Sequence, residues 1–167
     1  MTMEENKGWL KNILELRFII ENTFFKAYEE SSDYPMNLNH THVKTMIILN
    51  FEGEQPMSVV SHKLNLEKGS FTPVANHLIE LGYIEKVLDP RDKRVYNLRL
   101  LEKGKTLTKE VIANHNAFVN KRMEHLKEDE KKRYFDAIEL IIGLTAQMQQ
   151  NKKMLQTGGT GKPFHMS

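Results

Sequence analysis

Residues 84–100 constrain the fold most, reading Ile84-Glu85-Lys86-Val87-Leu88-Asp89-Pro90-Arg91-Asp92-Lys93-Arg94-Val95-Tyr96-Asn97-Leu98-Arg99-Leu100. Two arms rich in β-branched, aromatic and aliphatic residues, 84–88 and 95–100, flank a charged tip. Asp89-Pro90 starts a turn there, because proline presets φ and aspartate bonds local amides. The stretch is a β-hairpin, and helical patterns stand on both sides of it.

Upstream, Leu10, Ile13, Leu14, Ile20, Phe24 and Tyr28 form a broad apolar stripe at helical spacing, which predicts a first helix over 9–28. Ser31-Ser32-Asp33-Tyr34-Pro35 breaks it. A second helix is expected to start after Asn39, a good N-cap type, to bury Val43, Met46, Ile47 and Leu49, and to stop at Gly53. A short third helix is expected over 56–64. Phe71, Val74, Ala75, Leu78 and Leu81 recur with helical spacing and make a fourth helix, ended by Gly82 at C′. Pro73 restricts its start to Gly69 or Ser70, unless the helix kinks at the proline. Helix, tight turn, helix and hairpin make a winged helix-turn-helix pattern.

After the hairpin, 102–126 reads as a fifth helix with Leu107, Val111, Phe118, Arg122 and Leu126 on one side. At 1.5 Å per residue it is about 37 Å long, more than a winged helix of about 50 residues covers, so it needs a partner. A sixth helix over 128–153 aligns Tyr134, Ile138, Ile141, Ile142, Thr145 and Met148. The glycine-rich end, 156–167, is expected to be disordered.

The chain carries 24 basic and 22 acidic residues, a net charge of +2 that by itself favours no partner. Distribution says more. Residues 1–55 hold 5 Lys/Arg against 9 Asp/Glu, whereas residues 56–105 hold 9 against 6, so the middle third, with the hairpin in it, carries a net positive charge. With no cysteine there is no disulfide, thiolate ligand or thiol redox switch. Met1 to Asn6 does not resemble a signal peptide, and no apolar run approaches the roughly 20 residues a membrane helix needs, so no membrane partner and a cytoplasmic location are expected.

The run Leu66-Glu67-Lys68-Gly69-Ser70-Phe71-Thr72-Pro73-Val74, then Leu78 with Gly82-Tyr83-Ile84, the tip Asp89-Pro90-Arg91-Asp92-Lys93-Arg94, and Leu98, Leu100 and Gly104 resemble the MarR family of bacterial transcriptional regulators. The resemblance covers residues 5 to 150. It implies a mainly α fold with a small β-wing and six helices, in an intertwined helical homodimer. Residues 1–35 and 102–155 would form the dimerisation region and 36–101 the winged helix-turn-helix DNA-binding domain. Each fourth helix would enter a major groove of double-stranded DNA and each wing tip a minor groove. Family members are commonly repressors released by small organic ligands. Two departures concern caps: Leu101 and Lys127 stand where the family usually has Ser or Thr before the fifth and sixth helices. Losing such a cap costs about 1 kcal/mol, so other contacts must secure those helix starts.

The expected DNA contacts are Lys68, Ser70, Thr72, Pro73, Asn76 and His77 on the fourth helix, with Arg91, Lys93 and Arg94 at the tip. Asn76 suits bidentate pairing with adenine, and Thr72 and Pro73 suit a thymine methyl. Arg94 suits a narrow A·T-rich minor groove, and Arg91 and Lys93 suit phosphates. Asp92 is assigned wing support, holding an arginine or the turn backbone. Phe24, Tyr28, His42 and Met46 are candidates to line a pocket for an apolar or aromatic effector. No cofactor and no metal site are expected, because His40, His42, His115 and His125 include no pair spaced i, i+4. No phosphate loop, nucleophile elbow or triad suggests an enzyme. A metal-responsive or constitutive DNA-binding regulator and a winged helix used for protein contacts are the alternatives.

Overall fold

The computed structural model describes residues 3–32 and 34–157, which hold six helices and a three-stranded antiparallel sheet. Helix α1 runs over 3–31, as Met3–Ile20, a π-helical stretch Glu21–Lys26 and Ala27–Ser31. It is longer than its apolar stripe predicts. Helix α2 is His40–Glu52, α3 Met57–Lys63, α4 Lys68–Glu80, α5 Glu102–Arg122 and α6 Glu128–Thr157. The strands are β1 Gln55–Pro56, β2 Ile84–Leu88 and β3 Tyr96–Leu100, in the order β1-β3-β2. Two compact units are present, Met1–Val119 and Asn120–Ser167. Among the described residues no helix is long and apolar enough to cross a membrane.

Local chemistry fixes most boundaries. Asn39 caps α2 by accepting the His42 N–H at 3.0 Å, and His42 Nδ1 reciprocates by accepting the Asn39 N–H at 3.0 Å. That is a capping box with histidine in the place usually held by Glu or Gln. Gly53 ends α2 at φ 73°. Helix α4 closes with the Gly82 N–H on the Ile79 carbonyl and the Tyr83 N–H on the Leu78 carbonyl, a Schellman motif that requires the positive φ of Gly82.

Four boundaries differ from the sequence reading. Pro56 is not helical: Gln55 and Pro56 pair with Leu98 and Asn97 as an edge strand, where a missing N–H is tolerated. Helix α4 starts at Lys68 and continues through Pro73. The proline removes the bond to the Gly69 carbonyl, but both residues are exposed, so water can satisfy that oxygen. Helix α5 stops at Arg122 rather than at 126, about 32 Å long. Helix α6 extends to Thr157, so residues 156 and 157 are helical, and the rest of the expected tail lies outside the described residues.

The uncapped helix starts have substitutes. The Leu101 N–H donates to the Tyr83 carbonyl at 2.9 Å, tying the start of α5 to the end of α4. The Glu130 carboxylate reaches back to the Lys127 N–H at 2.9 Å, half of a capping box.

The core gathers Val43, Met46 and Leu49 of α2, Val60 of α3, Phe71, Ala75 and Leu78 of α4, Ile84, Leu98 and Leu100 of the sheet, and Val111 of α5. Each large aliphatic or aromatic side chain buried here contributes about 1.5–3 kcal/mol, which fixes α4 against the sheet. In contrast, Trp9, Leu10, Leu14, Phe18 and Ile19 of α1 are exposed in the single chain, as are Leu140, Ile142 and Met148 of α6.

Candidate nucleic-acid interface

Helix α4 presents two opposite surfaces. Phe71, Ala75 and Leu78 are buried, which turns Gly69, Pro73 and Asn76 outward as an exposed stripe beside Lys68 and Ser70. Thr72 is half-buried, and its hydroxyl donates to the Lys68 carbonyl at 2.9 Å. His77 points away from that stripe. Its Nε2–H donates to the Asn37 carbonyl at 2.8 Å, and its ring lies 4.8 Å from that of His42, so it tethers α4 to the chain before α2. Asn76 has a neighbour that the sequence did not suggest: the Lys86 ammonium of β2 donates to its Oδ1 at 3.3 Å.

The hairpin pairs in register from Ile84 with Leu100 to Leu88 with Tyr96. Its tip is organised by Asp89, whose Oδ1 accepts the Arg91 N–H at 2.8 Å and the Asp92 N–H at 3.0 Å. These bonds, with the Asn97 amide on Oδ2, hold the Asp89 carboxyl below its ordinary pKa. Asp92 holds the turn backbone, accepting the Arg94 N–H at 2.9 Å. With the backbone pinned, Arg91, Lys93 and Arg94 are exposed, and none has an ion pair among the described residues. Arg99 differs, pairing with Glu85 at 2.8 Å and Glu54 at 3.8 Å. The tip cations are therefore free of direct ion pairs among the described residues, whereas Arg99 at the wing base is paired.

Sequence reasoning missed Asn97. Its Nδ2 donates to Glu54 Oε1 at 2.9 Å and to Asp89 Oδ2 at 3.0 Å, joining the chain before β1 to the tip turn. Glu54 is remote in sequence, so only the sheet register brings the three together.

A cavity of about 190 Å³ lies between α1, α2 and α5, lined by Phe25, Tyr28, Tyr34, Val43, Ile47, Val111 and Ile112 with His40, His115 and the Glu29–Lys44 ion pair. Of the four expected lining residues only Tyr28 is there. Met46 is fully buried in the core, His42 is committed to the α2 cap, and Phe24 is turned elsewhere on α1. His115 is ordered by its neighbours: its Nε2–H donates to the Phe24 carbonyl at 3.1 Å and its ring lies 5.7 Å from Phe25 and 4.8 Å from Tyr28. His40 meets Tyr34 edge-on at 5.3 Å, and His125 is exposed in the second unit. Among the described residues no group of three or more His, Cys, Asp or Glu is arranged to hold a metal ion.

No family model matches the chain. It is 28% identical over 134 residues to the HTH-type transcriptional regulator MhqR of Bacillus subtilis (strain 168), covering 76% of this chain and 91% of that protein. Its fold is similar to that of a MarR family protein from Bacillus stearothermophilus, with a TM-score of 0.69 and 22% identity, over 87% of this chain and 99% of the other. Streptococcus pneumoniae FabT, solved in complex with DNA, aligns at a TM-score of 0.58 and 21% identity, over 88% and 99%. With the motifs of α4 and the wing, the chain is similar in sequence to a helix-turn-helix transcriptional regulator and shares its winged helix-turn-helix fold with MarR family structures.

Proposed function

We propose that the protein is a sequence-specific DNA-binding transcriptional regulator, a repressor, that binds a pseudo-palindromic operator as a homodimer and is released by a small organic ligand. One observation carries the reading: an exposed polar stripe on α4 stands beside a wing tip whose Arg91, Lys93 and Arg94 have no ion pair among the described residues. Such cations release counterions on meeting phosphates, which supplies affinity, while α4 side chains read base edges. MhqR is named a transcriptional regulator and FabT was solved with DNA, which supports the same reading.

Residues 36–101 act as the DNA-binding domain, and 1–35 with 102–155 as the dimerisation region. The exposed Trp9, Leu14, Phe18 and Ile19 and the exposed Leu140, Ile142 and Met148 are the surfaces a second chain would cover. The symmetry then calls for half-sites about one helical turn, roughly 34 Å, apart. The cavity matches one aromatic ring, since a dry cavity of about 150 Å³ takes benzene. A ring wedged between α1, α2 and α5 would change the arrangement of the helices that set α4, with coupling on the order of 1–3 kcal/mol. Fluorescence anisotropy on duplex DNA over a salt series, with sedimentation of the free protein, tests this. A folded monomer at micromolar concentration, or no duplex retained at low salt, refutes it.

A further inference from the structure

Lys86 stands on β2 opposite Leu98, on the sheet face that sends Ile84, Leu98 and Leu100 into the core. It comes two residues nearer the tip than Ile84, where the core has run out, so its side chain is exposed and extends over α4. There its Nζ lies 3.3 Å from Asn76 Oδ1. Lys86 has no carboxylate partner among the described residues, while the preceding residue, Glu85, is taken by Arg99. The Asn76 amide thus faces outward with its oxygen engaged by a cation and its two N–H groups free to donate. Lys86 keeps two further N–H groups of its own.

Adenine in the major groove offers one acceptor, N7, and one donor, the N6 amino group, so bidentate asparagine needs an open oxygen. Guanine offers two acceptors, N7 and O6. We propose that Lys86 and Asn76 form one composite reader that presents donors only, and that α4 therefore selects guanine where an isolated asparagine would select adenine. This inference rests on the DNA-binding reading above and makes Lys86 a specificity residue that no property of the helix alone would reveal.

The test is selection from a randomised duplex library, followed by affinity measurements on the four single-base variants at the enriched position, for wild type, Lys86→Met, Asn76→Ala and the double variant. Wild type should enrich guanine at one position in each half-site. Lys86→Met frees the asparagine oxygen and should shift that position toward adenine, changing the guanine-to-adenine ratio by about 5- to 150-fold, the discrimination of one bidentate pair. Asn76→Ala should lose the preference, and adding Lys86→Met to it should change base choice no further. Lys86→Met retaining the wild-type base preference overturns the inference, even if its affinity falls equally on every sequence and its salt slope drops by about one, as for a phosphate contact. Wild type retaining no duplex overturns the DNA-binding reading and this inference with it. Thermal melts of the variants, matching wild type because both side chains are exposed, separate a binding effect from a folding one.

Discussion

Gly104→Ala should destabilise the protein, although alanine is the better helix former. A Cβ at position 104 would lie 2.4 Å from the Tyr83 carbonyl oxygen and 2.8 and 3.0 Å from Leu100 side-chain carbons. Close C···O contacts ordinarily stop at about 3.3–3.6 Å, so the oxygen would have to retreat by about 1 Å. It cannot do so freely, because it accepts the Leu101 N–H at 2.9 Å. Overpacking of this kind costs about 1–3 kcal/mol. Weakening the hydrogen bond adds about 0.5–1.5 kcal/mol. Against this stands a helix-propensity gain of at most about 1 kcal/mol. The net loss is about 0.5–4.5 kcal/mol, readable as a lower urea midpoint at fixed protomer concentration. Gly143 of α6 supplies the contrast, since a Cβ there meets nothing within 4 Å, and Gly143→Ala should hold or raise the midpoint. A Gly104→Ala protein as stable as wild type would show that the α5 start can slide away from Tyr83, and the argument from close approach would be wrong.

Arg94→Ala should weaken DNA binding most on operators with A·T-rich flanks; equal loss on G·C-rich flanks in anisotropy titrations would remove Arg94 from the minor groove. Burial, and secondarily the neighbouring His77, holds His42 below its ordinary pKa of 6.5. A depressed folded value means that its stabilisation is present above 6.5 and lost as pH falls through the folded pKa, so His42→Gln should flatten urea stability across that window. Asp89 is likewise depressed, with its contribution present above 3.8 and lost as pH falls through the lower folded value. Asp89→Ala should raise the hydrogen-exchange rates of the Arg91 and Asp92 amides, which it bonds, and unchanged rates would show that the tip is held by something else.

What the sequence disclosed was local chemistry. Asn39, Gly53 and Gly82 mark helix ends because capping is settled within a few residues, and Asp89-Pro90 marks the tip for the same reason. Strand β1 was hidden because two residues carry no periodicity: Gln55 and Pro56 are a strand only through Leu98 and Asn97. The Asn97–Glu54 bond and the Lys86–Asn76 contact were hidden likewise, since each joins segments that only the sheet brings together. The pocket was misread for another reason. Apolar spacing shows that Met46 and Phe24 belong to helices with apolar faces, but a core and a cavity are lined by the same residue types.

The π-helical stretch Glu21–Lys26 changes what a single helix can address. A residue inserted into an α-helix advances everything beyond it by about 100° around the axis, and a wider i→i+5 turn absorbs such an advance without breaking the rod. The residues beyond the wide turn therefore stand about 100° behind where an uninterrupted α-helix would carry them. After the wide turn, Tyr28 reaches the Val111 carbonyl at 3.2 Å and meets the Phe118 ring at 5.5 Å, while before it Trp9, Leu14 and Phe18 remain exposed. Removing one residue from 21–26 would let the stretch close as ordinary α-helix with both ends keeping the faces they now present, whereas straightening the wide turn without a deletion would swing one end off its face. In this sense the wide turn is a phase correction written into the backbone, by which one uninterrupted rod keeps each end on its own face.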